Sequence, residues 1–137
     1  MKQIIALAAL ALASGCAASA ENDAIARADG EATLAAELRD YRQSGDTVSC
    51  VPLRHLGGNR SAGEGAIIFG GTGKRIYVNR PAGGCPLIRP GLALTLRTTG
   101  NQMCRGDIVS LFDTQTGVSY GSCGLGDFTP YERNRDG

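Results

Sequence analysis

Ala66-Ile67-Ile68-Phe69-Gly70-Gly71-Thr72-Gly73-Lys74-Arg75-Ile76-Tyr77-Val78-Asn79 is the stretch that decides the fold. Two runs rich in β-branched and aromatic residues, 66–69 and 75–79, flank a turn of glycines, which predicts a β-hairpin. The glycines with Lys74 also hint at a phosphate loop. The hint fails because the first glycine of G-x-x-x-x-G-K-[ST] would fall at Ile68, and Arg75 stands where the hydroxyl should be.

The same texture continues downstream. Leu92-Ala93-Leu94-Thr95-Leu96-Arg97 alternates with period two, so Leu92, Leu94 and Leu96 are expected to face a core. Residues 107–112 and 118–122 read as a second hairpin around Asp113-Thr114-Gln115-Thr116-Gly117. Upstream, 47–55 reads as a strand in which Pro52 suits an edge or a bulge, and 57–63 reads as a loop. About six short strands with no helix between them exclude a βαβ plan. The expectation is a mainly β domain, a small antiparallel meander or barrel-like sheet over 46–131, with a polar, frayed tail at 132–137.

Before Thr47 the pattern is helical, from Asn22 to Gln43, in two pieces separated by Gly30. Leu34, Leu38 and Tyr41 lie on one face of a 3.6-residue repeat, and Ser44-Gly45 marks the expected end. The first piece reads as a flexible tether. Further back, residues 1–15 carry Lys2 and the apolar run Ile4 to Leu12, which has the form of a signal peptide and is too short to span a bilayer. Ala13-Ser14-Gly15-Cys16 resembles the lipobox of bacterial lipoproteins, with Ala13 where that motif usually has Leu. The resemblance implies acylation of Cys16, an anchor in the membrane, and sorting to the outer membrane because Ala17 rather than Asp follows. Ala18-Ser19-Ala20 offers the alternative of ordinary cleavage and a soluble chain from Glu21. The chain thus divides into a signal peptide (1–15), a lipidated tether and helix (16–45), the β domain and the tail.

Twenty glycines, no Trp, three Phe and four Tyr leave few large side chains for a core. Small domains of this kind use covalent staples, and an exported chain can form disulfides. Cys50, Cys85, Cys104 and Cys123 permit three pairings that sequence cannot separate. Cys85 with Cys104 and Cys50 with Cys123 is the pairing expected here. No C-x-x-C pair occurs and His55 is the single histidine, which argues against structural zinc.

Once Lys2 leaves with the signal, acidic and basic side chains balance, and no global field attracts nucleic acid. The distribution is uneven: residues 21–45 hold six acids against three arginines, whereas 46–130 hold eight basic residues against five acids. Contact between the two segments would pair these charges; a solvated face on each is the competing reading.

Catalytic chemistry finds little to stand on. Ser49, Ser61 and Ser110 sit in no G-x-S-x-G elbow, and His55 reads as a strand-end residue. Asp107, Asp113 and Asp127 lie in turn-like surroundings where aspartate is common. Arg105-Gly106-Asp107 spells an adhesion tripeptide, but its place after Cys104 favours a turn with Asp107 accepting backbone N–H groups. Asn59-Arg60-Ser61 matches a glycosylation sequon.

Cys50-Val51-Pro52-Leu53-Arg54, Tyr77-Val78-Asn79, Cys85-Pro86-Leu87, Cys104-Arg105-Gly106-Asp107 and Cys123-Gly124-Leu125-Gly126-Asp127-Phe128 resemble the ordered landmarks of small, exported proteobacterial proteins that share a domain of unknown function. The likeness covers about residues 46–130 and implies class and location, with no activity, ligand or cofactor. The expected protein is a non-enzymatic cell-envelope lipoprotein, a binding or structural module. Its partners would be the membrane, through Cys16, and an envelope protein. The alternative is a small inhibitor of a secreted hydrolase such as a lysozyme or protease; a hydrolytic enzyme has the least support.

Overall fold

The computed structural model describes residues 2–70, 73–98 and 100–135, with side chains from residue 17 onward. Its central feature is the expected hairpin, β4 (Ala66–Phe69) and β5 (Arg75–Asn79), paired antiparallel from Ile67 opposite Asn79 to Phe69 opposite Tyr77. Both strands lie inside a five-stranded antiparallel sheet. Around them are β1 (Tyr41–Gln43), β3 (Asn59–Ala62) and β10 (Phe128–Arg133), in the order β1-β10-β5-β4-β3. A two-stranded sheet pairs β2 (Cys50–Pro52) with β7 (Gln102–Cys104). A three-stranded sheet runs β6 (Leu92–Leu96), β8 (Ile108–Asp113), β9 (Ser119–Gly124). The fold is mainly β, as expected, but its sheets are not closed into a barrel and the described residues form ten strands rather than six.

The continuous apolar run of β4 follows from where it sits. Ile67 and Phe69 join one core with Tyr77, Phe128, Val109, Leu111 and Leu125. Ala66 and Ile68 join another with Ile76, Val78, Ala62 and Leu34. Alternate side chains of a strand point to opposite faces, so a strand covered on both faces loses its polar half. Leu92, Leu94 and Leu96 pack against the first core, as their alternation implied.

One helix, α1 (Lys2–Leu38), covers the second core. It is alanine-rich, which favours helix, and it does not break at Gly30. A Cβ placed on Gly30 would lie 3.3 Å from the Ala62 carbonyl oxygen, and one on Gly63 would lie 2.7 Å from the Gly30 Cα. The glycine thus marks a close approach of the helix to the β3–β4 turn rather than a hinge. Leu34 is buried there, and Leu38 and Tyr41 pack beside it. The helix ends at Leu38, earlier than Ser44-Gly45, because residues 41–43 pair with β10 instead. The expected tail likewise gives Glu132 and Arg133 to that strand.

The cysteine pairing differs from expectation. Cys50 bonds Cys104, and Cys85 bonds Cys123. The register of β2 against β7 puts Cys50 directly opposite Cys104, with Cα atoms 4.0 Å apart. Cys85 and Cys123 are buried in the larger core. The bridges span 54 and 38 residues of sequence, and loop-closure entropy credits each with about 4 kcal/mol, in a model-dependent account.

Asn79 is the one buried polar side chain among the described residues. Its amide donates to the Gly126 carbonyl at 2.7 Å, and its Oδ1 accepts the Gly126 N–H at 3.0 Å. Any Cβ at Gly126 would fall 1.8 Å from the Arg80 carbonyl oxygen. The loop before β10 is therefore clamped to the end of β5 by a side chain that takes the place of a strand's backbone.

Asn79→Leu should destabilise the chain by about 3 kcal/mol in urea unfolding, because both Gly126 groups lose their partner at about 1–3 kcal/mol each; an unchanged midpoint would refute the clamp. Replacing Cys85 and Cys123 together by Ala should cost more than replacing Cys50 and Cys104, since a buried cavity adds to the lost cross-link. The two midpoints measured side by side would decide it.

Candidate functional site

The charge asymmetry of the sequence becomes contact between helix and body. Arg80 makes a two-pronged bond to Glu31, at 2.6 and 3.0 Å, and Arg60 binds Glu37 at 2.6 Å. Arg80 holds the Glu31 carboxyl below its usual range, and Glu31 raises the Arg80 guanidinium in turn. A cleft of about 630 Å³ opens beside this pair, between α1 and the Arg80–Gly84 loop; Asp23, Arg27 and Glu64 line it.

Two smaller clefts lie on the other side of the five-stranded sheet and share Arg75 and Tyr77 as a common wall. One, of about 330 Å³, is lined by His55, Lys74 and Glu132 in addition. The other, of about 340 Å³, is lined by Val48, Pro52 and Pro130, with Cys50 and Asp46 at its side. Strand register creates the junction: Arg75 and Arg42 both lie opposite Glu132, so all three share a sheet face. The Arg75 guanidinium bonds Glu132 and keeps its carboxyl below the ordinary range, with Arg42 and Arg135 adding to the effect.

Residues singled out by sequence are dispersed. The side chain of Cys16, the expected acylation site, lies outside the described residues, as do the side chains of the 1–15 leader and residues 71 and 72 of the glycine turn. His55 ends a short 3-10 turn, Leu53–His55, and is exposed; its Nε2 accepts a hydrogen bond from Arg54 Nε at 3.2 Å. Ser110 belongs to a different sheet, opposite Thr95 and Ser122. Asp107 accepts the Cys104 N–H at 2.8 Å, and Asp113 accepts those of Gln115 and Thr116. Both act as turn residues. Arg105 points back to Asp127 at 3.2 Å, so the adhesion-like tripeptide is folded into its own turn. Arg60 of the sequon lies on β3 and is engaged by Glu37. Among the described residues no group of three or more His, Cys, Asp or Glu has the geometry of a metal site.

Sequence reading missed Asn79 and the shared wall at Arg75 and Tyr77. The groups that meet there come from residues 46–55, 74–77 and 130–132, brought together by the pairing of β10 with β5 and by the bridge between Val48 and Phe128. No family model, curated protein or solved structure matches the chain.

Glu31 has a lowered folded value relative to 4.5. The stability it supplies is therefore present above pH 4.5 and lost as pH falls through the depressed value. Both partners are more than half exposed, so the pair is worth about 0.2–1 kcal/mol. Glu31→Gln should remove that increment at pH 7 and flatten the acid limb of stability against pH in chemical unfolding; identical curves for the two proteins would contradict the assignment.

Proposed function

We propose that the chain is a non-enzymatic lipoprotein of the bacterial cell envelope, anchored through acyl groups on Cys16 and exposing its β body as a binding or structural module. The observation that carries this reading is the continuity of α1 into the body. A helix rises about 1.5 Å per residue, so residue 16 stands about 21 Å along the axis from Gly30. From Gly30 onward the helix is fixed by backbone contact, by Leu34 and by the Glu31 and Glu37 ion pairs. An anchor at one end of such an arm sets the position of the sheets at the other.

The disulfides fit an oxidising compartment. The candidate catalytic groups are engaged structurally: Asp107 and Asp113 hold turns, Asp127 holds Arg105, and His55 holds Arg54. These engagements favour a module that binds over one that turns over a substrate.

Cys16→Ser should move the protein from the membrane fraction to the soluble periplasmic fraction with its thermal midpoint unchanged. Retention of the variant in washed membranes would overturn the anchor.

A further inference from the structure

The paired clefts at Arg75 and Tyr77 differ in chemistry from end to end. At one end Lys74 and His55 face the space, with Arg54 bonded to His55. Lys74, His55 and Arg54 are all exposed, while Arg75 is already engaged by Glu132. At the other end Val48, 40% exposed, Pro52, Pro130 and the Cys50 half of a disulfide form an apolar wall, with Ser44 and Asp46 beside it. Val51 and Tyr77, both buried, form the floor.

The walls are held firmly. The Val48 N–H and carbonyl both bond Phe128 at 2.8 Å, and the Lys74 carbonyl accepts the Arg133 N–H at 2.8 Å. Beyond Lys74, the Tyr41 hydroxyl donates to the Gly73 carbonyl at 3.1 Å, and the Arg133 guanidinium lies 5.4 Å from the Tyr41 ring. The backbone that carries Val48 and Lys74 is thus fixed before a ligand arrives, which favours affinity.

We propose that the two clefts form one docking groove for an extended peptide segment of a partner protein, one that presents an apolar side chain next to an acidic one. The apolar side chain lies against Val48, Pro52 and Pro130, and the carboxylate lies toward Lys74 and His55. A desolvated apolar anchor supplies affinity, and a charged group beside it sets register and direction. Asp46 and Glu132, which also line the clefts, oppose a uniformly negative polymer or lipid surface, and such a surface has no use for the apolar wall. The inference rests on the binding-module reading and is independent of acylation at Cys16.

The test is selection of a random heptapeptide display library on the purified chain, followed by fluorescence anisotropy of the enriched peptides. Enrichment should favour an apolar residue within two positions of Asp or Glu. Lys74→Glu and Val48→Asp should each weaken binding at least tenfold, Arg97→Glu should leave it within twofold, and raised salt should weaken it. Near-UV circular dichroism of each variant confirms folding, and Lys74→Glu, at an exposed side chain, keeps the test open if Val48→Asp fails to fold. Three results overturn the groove: no enrichment of the paired residues, equal binding by the folded Lys74→Glu variant, or equal affinity for polyglutamate or anionic vesicles. Selected peptides that ignore the Lys74 change would leave a binding module whose site lies elsewhere.

Discussion

A sheet whose middle strands are apolar on both faces has to be covered twice, and the rest of the molecule answers that demand. Ile68, Ile76 and Val78 need one cover, and Ile67, Phe69, Tyr77 and Phe128 need another. The helix supplies the first with Leu34 at its centre. The two- and three-stranded sheets supply the second. That second layer is built from short strands that give Val51, Met103, Val109 and Leu111 to the core, and a sulfur bridge runs through that core at Cys85 and Cys123. Burial drives the layers together; cross-linking limits how far the thinner one can open.

The parts of this arrangement legible in sequence are those with strong local signals. The 66–79 hairpin, the alternation of Leu92, Leu94 and Leu96, and the hairpin around Asp113-Gly117 all carry their period and turn chemistry within a few residues. Strands β1, β3, β7 and β10 carry neither. Three residues at 41–43 and three at 102–104 are too short to show a period, Asn59–Ala62 is polar, and Pro130 sits inside β10 where a proline argues against a strand. These strands exist because a partner is already in place beside them. Gly30 misleads for a related reason: its cost as a helix residue is visible in the sequence, whereas the neighbour that requires it, Gly63, is 33 positions away.

Sites followed the same division. The imbalance of charge was visible in the sequence but left contact and a solvated face on each segment as competing readings, and the structure pairs Glu31 with Arg80 and Glu37 with Arg60. The cysteines were legible as staples, but their partners depend on β2 meeting β7, which no local pattern announces. The two clefts at Arg75 and Tyr77 bring together Val48, Pro52, His55, Lys74 and Pro130 through the pairing of β10 with β5 and the Val48–Phe128 bridge, and no motif links those residues.

Cys50 belongs to two systems at once: it is half of a cross-strand bridge and part of the wall beside Val48 and Pro52. Opening that bridge leaves a thiol in the wall and releases β2 from its covalent tie to β7. The shape of that wall is thus coupled to the redox state of the bridge. Reducing conditions therefore act on this wall through one covalent bond, which the hairpins do not need in order to form.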